Sequence, residues 1–434
     1  MKLFGKSHLI FVLGFSILAL QLWVSSGTLY PYAYTLHEPL VDSVCGYLFN
    51  IDHKIMLSSL NMFGDAFNFT DITMLYWHRP LYPALLYPVA KILGVLWGAL
   101  LLNFLIHSFS IFLFISFLKK HYGEAVAKAS FWLCIFYPGI YYWGATPYVH
   151  TLIVPITLFC FMYLSHLKKM NFVQMTVWTL GLGGLFLGYD LFAIFAPASF
   201  LLLLFYRQYK KIPFLILLII PTIIWNLTLQ KYWNRPPVNS LTQTYLTLLL
   251  SYLGPESWSL WLKNMIKFPW ILFKTFLYSN FFVIPISVIL ILWSKRKQFK
   301  MIWGVSSSIA ISILILFSFI NLSPPSIDPV GWDFHGTWIA RIYQPLFIIL
   351  IIFLAKYFAE LKLEQKYKNF LMVVFFSLNI AIIWGPLLNL RVAHYVYLKF
   401  YKHGNGKPAL IQENLRRHGT RPLGFCRNTK IKIR

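Results

Sequence analysis

The chain has 434 residues, of which 58% are hydrophobic and only 12% charged, and its mean hydropathy is +0.64; soluble domains carry about 25% charged residues. So much apolar surface has no place in a water-soluble fold, and the length predicts an all-α polytopic membrane bundle with few soluble parts. The net charge of +25 comes from 38 Lys and Arg against 13 Asp and Glu, but the cations lie mostly between apolar runs, which argues for fixed membrane orientation and against a nucleic-acid binder.

Apolar stretches of the roughly 20 residues a span requires number about ten or eleven. The first covers residues 8–24 behind Lys2 and Lys6. A signal peptide cut near residues 25–27 has similar flanks, but the run is long and the remainder polytopic, so an uncleaved span is expected. With Lys2 and Lys6 on the cytoplasmic side, residues 25–80 form a long first extracytoplasmic loop. The next apolar piece, residues 81–94, contains Pro83 and Pro88 and is too short to cross; it reads as an interfacial or re-entrant helix. Residues 95–118 then cross inward.

Beyond that point basic clusters punctuate the apolar runs. Lys119 and Lys120, Lys168 and Lys169, Arg207 with Lys210 and Lys211, Lys295 to Lys297, and Lys356 through Lys368 fall on the cytoplasmic side of this topology. The turns at residues 141–150, 188–190, 231–267 and 323–337 fall on the other. A last span near residues 370–388 closes a membrane domain of residues 1–388 and leaves a basic tail, residues 389–434, outside, against the same rule. The Gly-rich stretch from Gly181 to Pro197 is the place where a span is most easily miscounted. Cys45, Cys134, Cys160 and Cys426 show neither metal spacing nor a repeated framework and read as packing residues.

Acids are scarce, so their placement is informative. Glu38, Asp42, Asp52, Asp65 and Asp71 all lie in the first outer loop, opposed there only by Lys54 and Arg79. Long ordered loops are disproportionately functional, although an ordinary solvated connection has the same composition. The loop ends in Trp77-His78-Arg79-Pro80-Leu81-Tyr82-Pro83. Arg79 offers a planar fork that suits a phosphate at headgroup depth, and Trp, Tyr and Arg also serve there as plain anchors.

A second constellation runs from Ser323 through Asp328 to Trp332, Asp333, His335, Trp338 and Arg341. Arg341 sits about one turn inside an apolar helix, where a cation requires a partner or a cavity. Asp333 or Asp190 would serve as a structural partner. Asp190 itself is a helix cap or a site residue, and His150, after the aromatic turn at residues 141–148, reads as interfacial.

Four segments resemble the C-type glycosyltransferase superfamily, polytopic enzymes that include protein O-mannosyltransferases and lipid A aminoarabinose transferases. The acidic first outer loop is one. Arg79-Pro80-Leu81-Tyr82-Pro83 leading to Lys91-Ile92-Leu93-Gly94 is similar to the family's R-P-x-x-P segment ending in K-x-x-G. Phe136-Tyr137-Pro138 with residues 141–151 is similar to its short outer turn, and Trp338 to Pro345, containing Arg341-Ile342-Tyr343-Gln344-Pro345, to its late arginine helix. The likeness covers about the first 200 residues well and the rest loosely. One departure matters: the paired acids of many members are here separated, as Glu38-Pro39-Leu40-Val41-Asp42.

The resemblance implies transfer of a sugar from a polyprenyl-phosphate carrier to a glycan, lipid or protein acceptor at the outer face of the membrane, with inversion at the anomeric carbon; the lack of long soluble domains points to a bacterial inner membrane. It implies an outer-loop carboxylate as general base, Asp42 by its position before Tyr47 and Arg79, with Glu38 in reserve. Arg79 and Arg341, helped by His78 or His335, would hold the carrier phosphate. Some relatives hold a divalent metal between an acid and that phosphate; no spacing here demands one or any other cofactor. Two other classes share the composition. A transporter or flippase of lipid-linked sugars would place polar groups in mid-membrane on broken helices, and an O-antigen ligase or polymerase would carry its large Arg- and His-rich loop late in the chain instead of first.

Overall fold

A computed structural model describes residues 7–36, 81–93, 95–145, 149–189 and 191–233, with shorter pieces between 304 and 312 and between 345 and 377. Among the described residues helix dominates and no strand occurs. Three helices are long and apolar enough to cross a membrane, over His8–Ser25, Trp97–Tyr122 and Tyr209–Thr228, and three shorter apolar helices cover Ile153–His166, Phe172–Phe186 and Ile194–Phe205.

The first helix, α1, runs over Ser7–Leu36. At 1.5 Å per residue it is about 45 Å long, so the stretch counted as loop from residue 25 begins as helix. Leu18 and Leu22 on it are fully buried, which packs the apolar run into the bundle. Helix α2 covers Leu81–Leu93 and α3 covers Val95–Tyr122. On one continuous helix Tyr82 and Asn103 would lie about 30 Å apart; their side chains instead hydrogen-bond at 2.9 Å, so the chain doubles back into a helical hairpin. Helix α2, about 20 Å long, is too short to cross a bilayer, in keeping with its prolines.

Helix α3 carries Lys119, Lys120 and His121 in its last turn and stops at Gly123, whose φ of 91° suits glycine alone among common residues. There follow α4 (Glu124–Ile135), α5 (Pro138–Gly144), a 3-10 turn over Val149–Leu152 and α6 (Ile153–His166). A capping box opens α7 (Phe172–Phe186): Gln174 N–H donates to the Asn171 side chain while the Asn171 backbone N–H donates to the Gln174 side chain, satisfying two otherwise orphaned donors. Helix α8 covers Phe192–Phe205, a 3-10 helix follows over Tyr209–Leu218, and α9 covers Ile220–Trp233.

The turns after α3, α6 and α8 meet at one end of the bundle. The His121 and His166 rings touch edge to face at 4.6 Å, Lys211 donates to the carbonyls of Leu167 and Lys168, and Lys168 lies over the Tyr206 ring. Helix α1 sets out from the same end: Gly14 rests on the Phe131 ring two turns into α4, and farther along Leu22 rests on Gly144. At the opposite end Leu81 N–H donates to Leu187 O at 3.4 Å, and Gly188 rests on Leu152 and Leu81. Basic and non-basic turns therefore alternate between the two ends across residues 119–211, as the charge pattern predicts. The Gly181 to Pro197 stretch resolves into α7, a turn and α8, two helices of about 22 and 21 Å, each short for a span.

Between the ends the core is aromatic, with Phe114, Phe131, Phe161, Tyr163, Phe186 and Phe195 buried. Cys134 and Cys160 are buried and free, consistent with packing. Large apolar side chains also cover the outside, Val173 at 72% and Phe205 at 75% exposure among them. A water-soluble bundle hides such patches; lipid accepts them. Of the last span only residues 370, 371, 373, 374 and 377 are described, all helical and exposed, and the tail at residues 389–434 lies outside the described residues.

Candidate functional site

At the end opposite the basic turns, polar side chains penetrate the apolar packing as a ladder. Asn103 and His107 stand four residues apart on α3 and so share one face; both are fully buried. Asn103 accepts from the Tyr82 phenol at 2.9 Å and donates through Nδ2 to the Gly144 carbonyl. His107 Nε2 meets Thr151 Oγ1 at 3.1 Å, and Ser110 Oγ donates to the His107 carbonyl. Four elements are tied together: α2 through Tyr82, α3 through Asn103 and His107, α5 through Gly144, and the 3-10 turn through Thr151.

The close approach depends on Gly144. A Cβ there would lie 2.9 Å from His107 Nε2 and 3.2 Å from Leu22, too near for either to stay in place. Two buried polar atoms of this region, His107 Nδ1 and the Tyr141 hydroxyl, have no hydrogen-bond partner among the described residues. Such orphans are uncommon in folded proteins and each calls for a reason. Through the Tyr82–Asn103 bond the ladder fixes the start of α2 against α3.

The sequence-derived site residues Glu38, Asp42, His78, Arg79, His335 and Arg341 all lie outside the described residues, as does Asp190. The structure does place the ends of the chain that carries the first four. Residues 37–80 leave from Leu36, the last residue of α1, and return at Leu81, which is bonded to Leu187 at the end opposite the basic turns. Arg79 precedes Tyr82, the first rung of the ladder, by three positions. Among the described residues no group of three or more His, Cys, Asp or Glu gathers as metal ligands would.

Reading for charge missed Asn103 and His107, which are uncharged or weakly basic. The signal was available as two strongly polar residues at helical spacing inside an otherwise apolar run, where each is costly in lipid unless it faces a partner.

Fold and ladder together define a helical bundle with helices long and apolar enough to cross a membrane and a buried polar end. Comparison with protein-family models, curated proteins and solved structures finds no match to the chain.

Proposed function

We propose that the chain is a multi-pass membrane glycosyltransferase that moves a sugar from a polyprenyl-phosphate carrier to a glycan, lipid or protein acceptor. The observation that carries this reading is that α1 runs away from the basic end, past Phe131 and then Gly144, and that the chain after the acid-rich segment of residues 37–80 resumes at Leu81, bonded to Leu187 at the end opposite the basic turns. Basic turns as a rule face the cytoplasm, and on that rule the segment would lie on the outer side, in this reading of a bacterial inner membrane. The whole chain on this reading has about ten or eleven spans.

In the proposed reaction the acceptor oxygen attacks the anomeric carbon while its proton passes to the Asp42 carboxylate, with Glu38 as the alternative base. The bond from that carbon to the carrier phosphate breaks, and the phosphate leaves with both electrons. Arg79 and Arg341, with His78 or His335, steady its charge. The isoprenoid stays in lipid throughout, so only the headgroup enters the site.

The test is transfer from radiolabelled polyprenyl-phosphate sugars in membranes, comparing the native chain with Asp42→Asn and Glu38→Gln. Loss of product with one of the two is expected; unchanged product with both rejects the base assignment. Cysteines introduced at positions 42 and 65 should react with impermeant reagents in intact cells, and labelling only from the cytosolic side would overturn the reading. The buried Asn103 and His107 favour one competitor, a flippase of lipid-linked sugars, since transporters carry polar groups within the membrane. Carrier translocation without a glycosidic product would select it.

A further inference from the structure

The basic end of the bundle has a second feature that sugar transfer does not use. Lys119 and Lys120 in the last turn of α3, Lys168 and Lys169 after α6, and Arg207 and Lys210 after α8 are all exposed, and Glu124, at the start of α4, is the single acid beside them. Glu124 pairs with Lys119 at 3.3 Å, which leaves the other cations without an acidic partner among the described residues. Loose cytoplasmic loops are commonly basic, but these turns are locked to one another. Lys211 is buried, and its ammonium donates to Leu167 O at 3.2 Å and Lys168 O at 2.9 Å, using the open carbonyls that end α6. Lys168 Nζ stands 5.6 Å from the centre of the Tyr206 ring, and the His121 and His166 rings join α3 to α6. The three turns thus form one preformed surface.

Its rim is apolar. Phe172 and Tyr209 are more than half exposed and Phe205 is 75% exposed, each within three residues of one of the cations. Aromatic side chains beside cations also suit stacked bases, but Phe172, Phe205 and Tyr209 stand at the ends of apolar helices. A phospholipid fits there: its phosphate would meet the cations and its acyl chains the aromatic skirt, as at basic pockets between membrane helices.

We propose that the three turns at the basic end form a composite binding surface for anionic phospholipid headgroups. The proposal stands independently of sugar transfer, since it concerns the other end of the molecule. The full chain, purified and placed in nanodiscs of phosphatidylcholine with a minor share of phosphatidylglycerol, is extracted and its retained lipid measured. The native chain is expected to retain phosphatidylglycerol above its share in the mixture. Neutralising one exposed lysine on each turn, by Lys120→Gln, Lys169→Gln and Lys210→Gln together, should weaken retention by about fivefold per charge. The corresponding triple change to arginine should preserve it. Should the glutamine variant fail to fold, the native chain still decides: its melting point should rise in phosphatidylglycerol over phosphatidylcholine, and raised salt should abolish the difference. Equal retention of both lipids by the native chain, undiminished retention by the glutamine variant, or displacement of the lipid by millimolar inorganic phosphate would each overturn the proposal.

Discussion

The Tyr82 hydroxyl donates to Asn103 Oδ1 at 2.9 Å across the turn that joins α2 to α3, and Asn103 passes the connection on to the Gly144 carbonyl. One amide therefore satisfies two buried groups on two other elements. Asn103→Leu removes both bonds while keeping the volume, and leaves the phenol and the carbonyl buried. A loss of about 1–3 kcal/mol is expected, toward the lower figure because polar contacts between membrane helices average about 0.6 kcal/mol. Thermal unfolding in detergent measures it. Tyr82→Phe should cost less, and the double variant should cost less than the sum of the two, since both changes break the same bond.

Gly144 carries the neighbouring contact. A methyl at this position would press His107 away from Thr151 and shift the end of the Leu22 side chain. Gly144→Ala is expected to destabilise by about 1–3 kcal/mol. Thr151→Val breaks the same histidine contact without adding bulk, so its melting point should fall less than that of Gly144→Ala. A larger fall with Thr151→Val would mean that the hydroxyl, and not the space around Gly144, governs this end.

Much of this architecture is legible in the sequence because the bilayer enforces it. The bounds of α2 follow from its prolines and its shortness, and the alternation of turns across residues 119–211 follows from where lysine can be tolerated. The ladder is not legible in the same way. Asn103, His107 and Thr151 acquire meaning only when α2, α3 and the 3-10 turn come together, a relation between residues 44 positions apart in the case of His107 and Thr151. The length of α1 was hidden too, since Ser25, Ser26 and Gly27 look like the start of a loop although the helix continues to Leu36. The candidate carboxylates Glu38 and Asp42 and the cations His78, Arg79, His335 and Arg341 stand on sequence pattern alone.

At the basic end, Arg207 holds a backbone φ of 56°. It occupies the position after the last cap of α8, where Gln208 N–H bonds Leu203 O and Arg207 N–H bonds Leu204 O, a closure that favours glycine. Arg207→Gly is therefore expected to raise stability by about 0.5–1 kcal/mol, read as a higher melting point in neutral detergent. The same substitution should lower retention of phosphatidylglycerol, because it removes a cation from the proposed surface. Lys211→Met acts in the opposite sense on stability: it strips two carbonyls at the end of α6 of their donor and should cost about 2 kcal/mol.

The three glycines of α7 give a test of packing internal to one helix. A Cβ on Gly183 would lie 2.6 Å from the Leu218 carbonyl and 3.0 Å from Pro221, whereas Gly181 and Gly184 have open space at that position. The Leu218 carbonyl is backbone at the end of the 3-10 helix and cannot rotate away as a side chain can. Gly183→Ala must therefore separate α7 from the 3-10 helix, and a loss of about 1–3 kcal/mol is expected. Gly181→Ala and Gly184→Ala should instead stabilise by up to about 1 kcal/mol, since alanine is the better helix former. Melting points of the three variants in one detergent decide it. If all three fall alike, α7 does not pack on the segment after α8 through Gly183. If Gly183→Ala alone falls, the close approach of these two helices is a feature of the protein in solution.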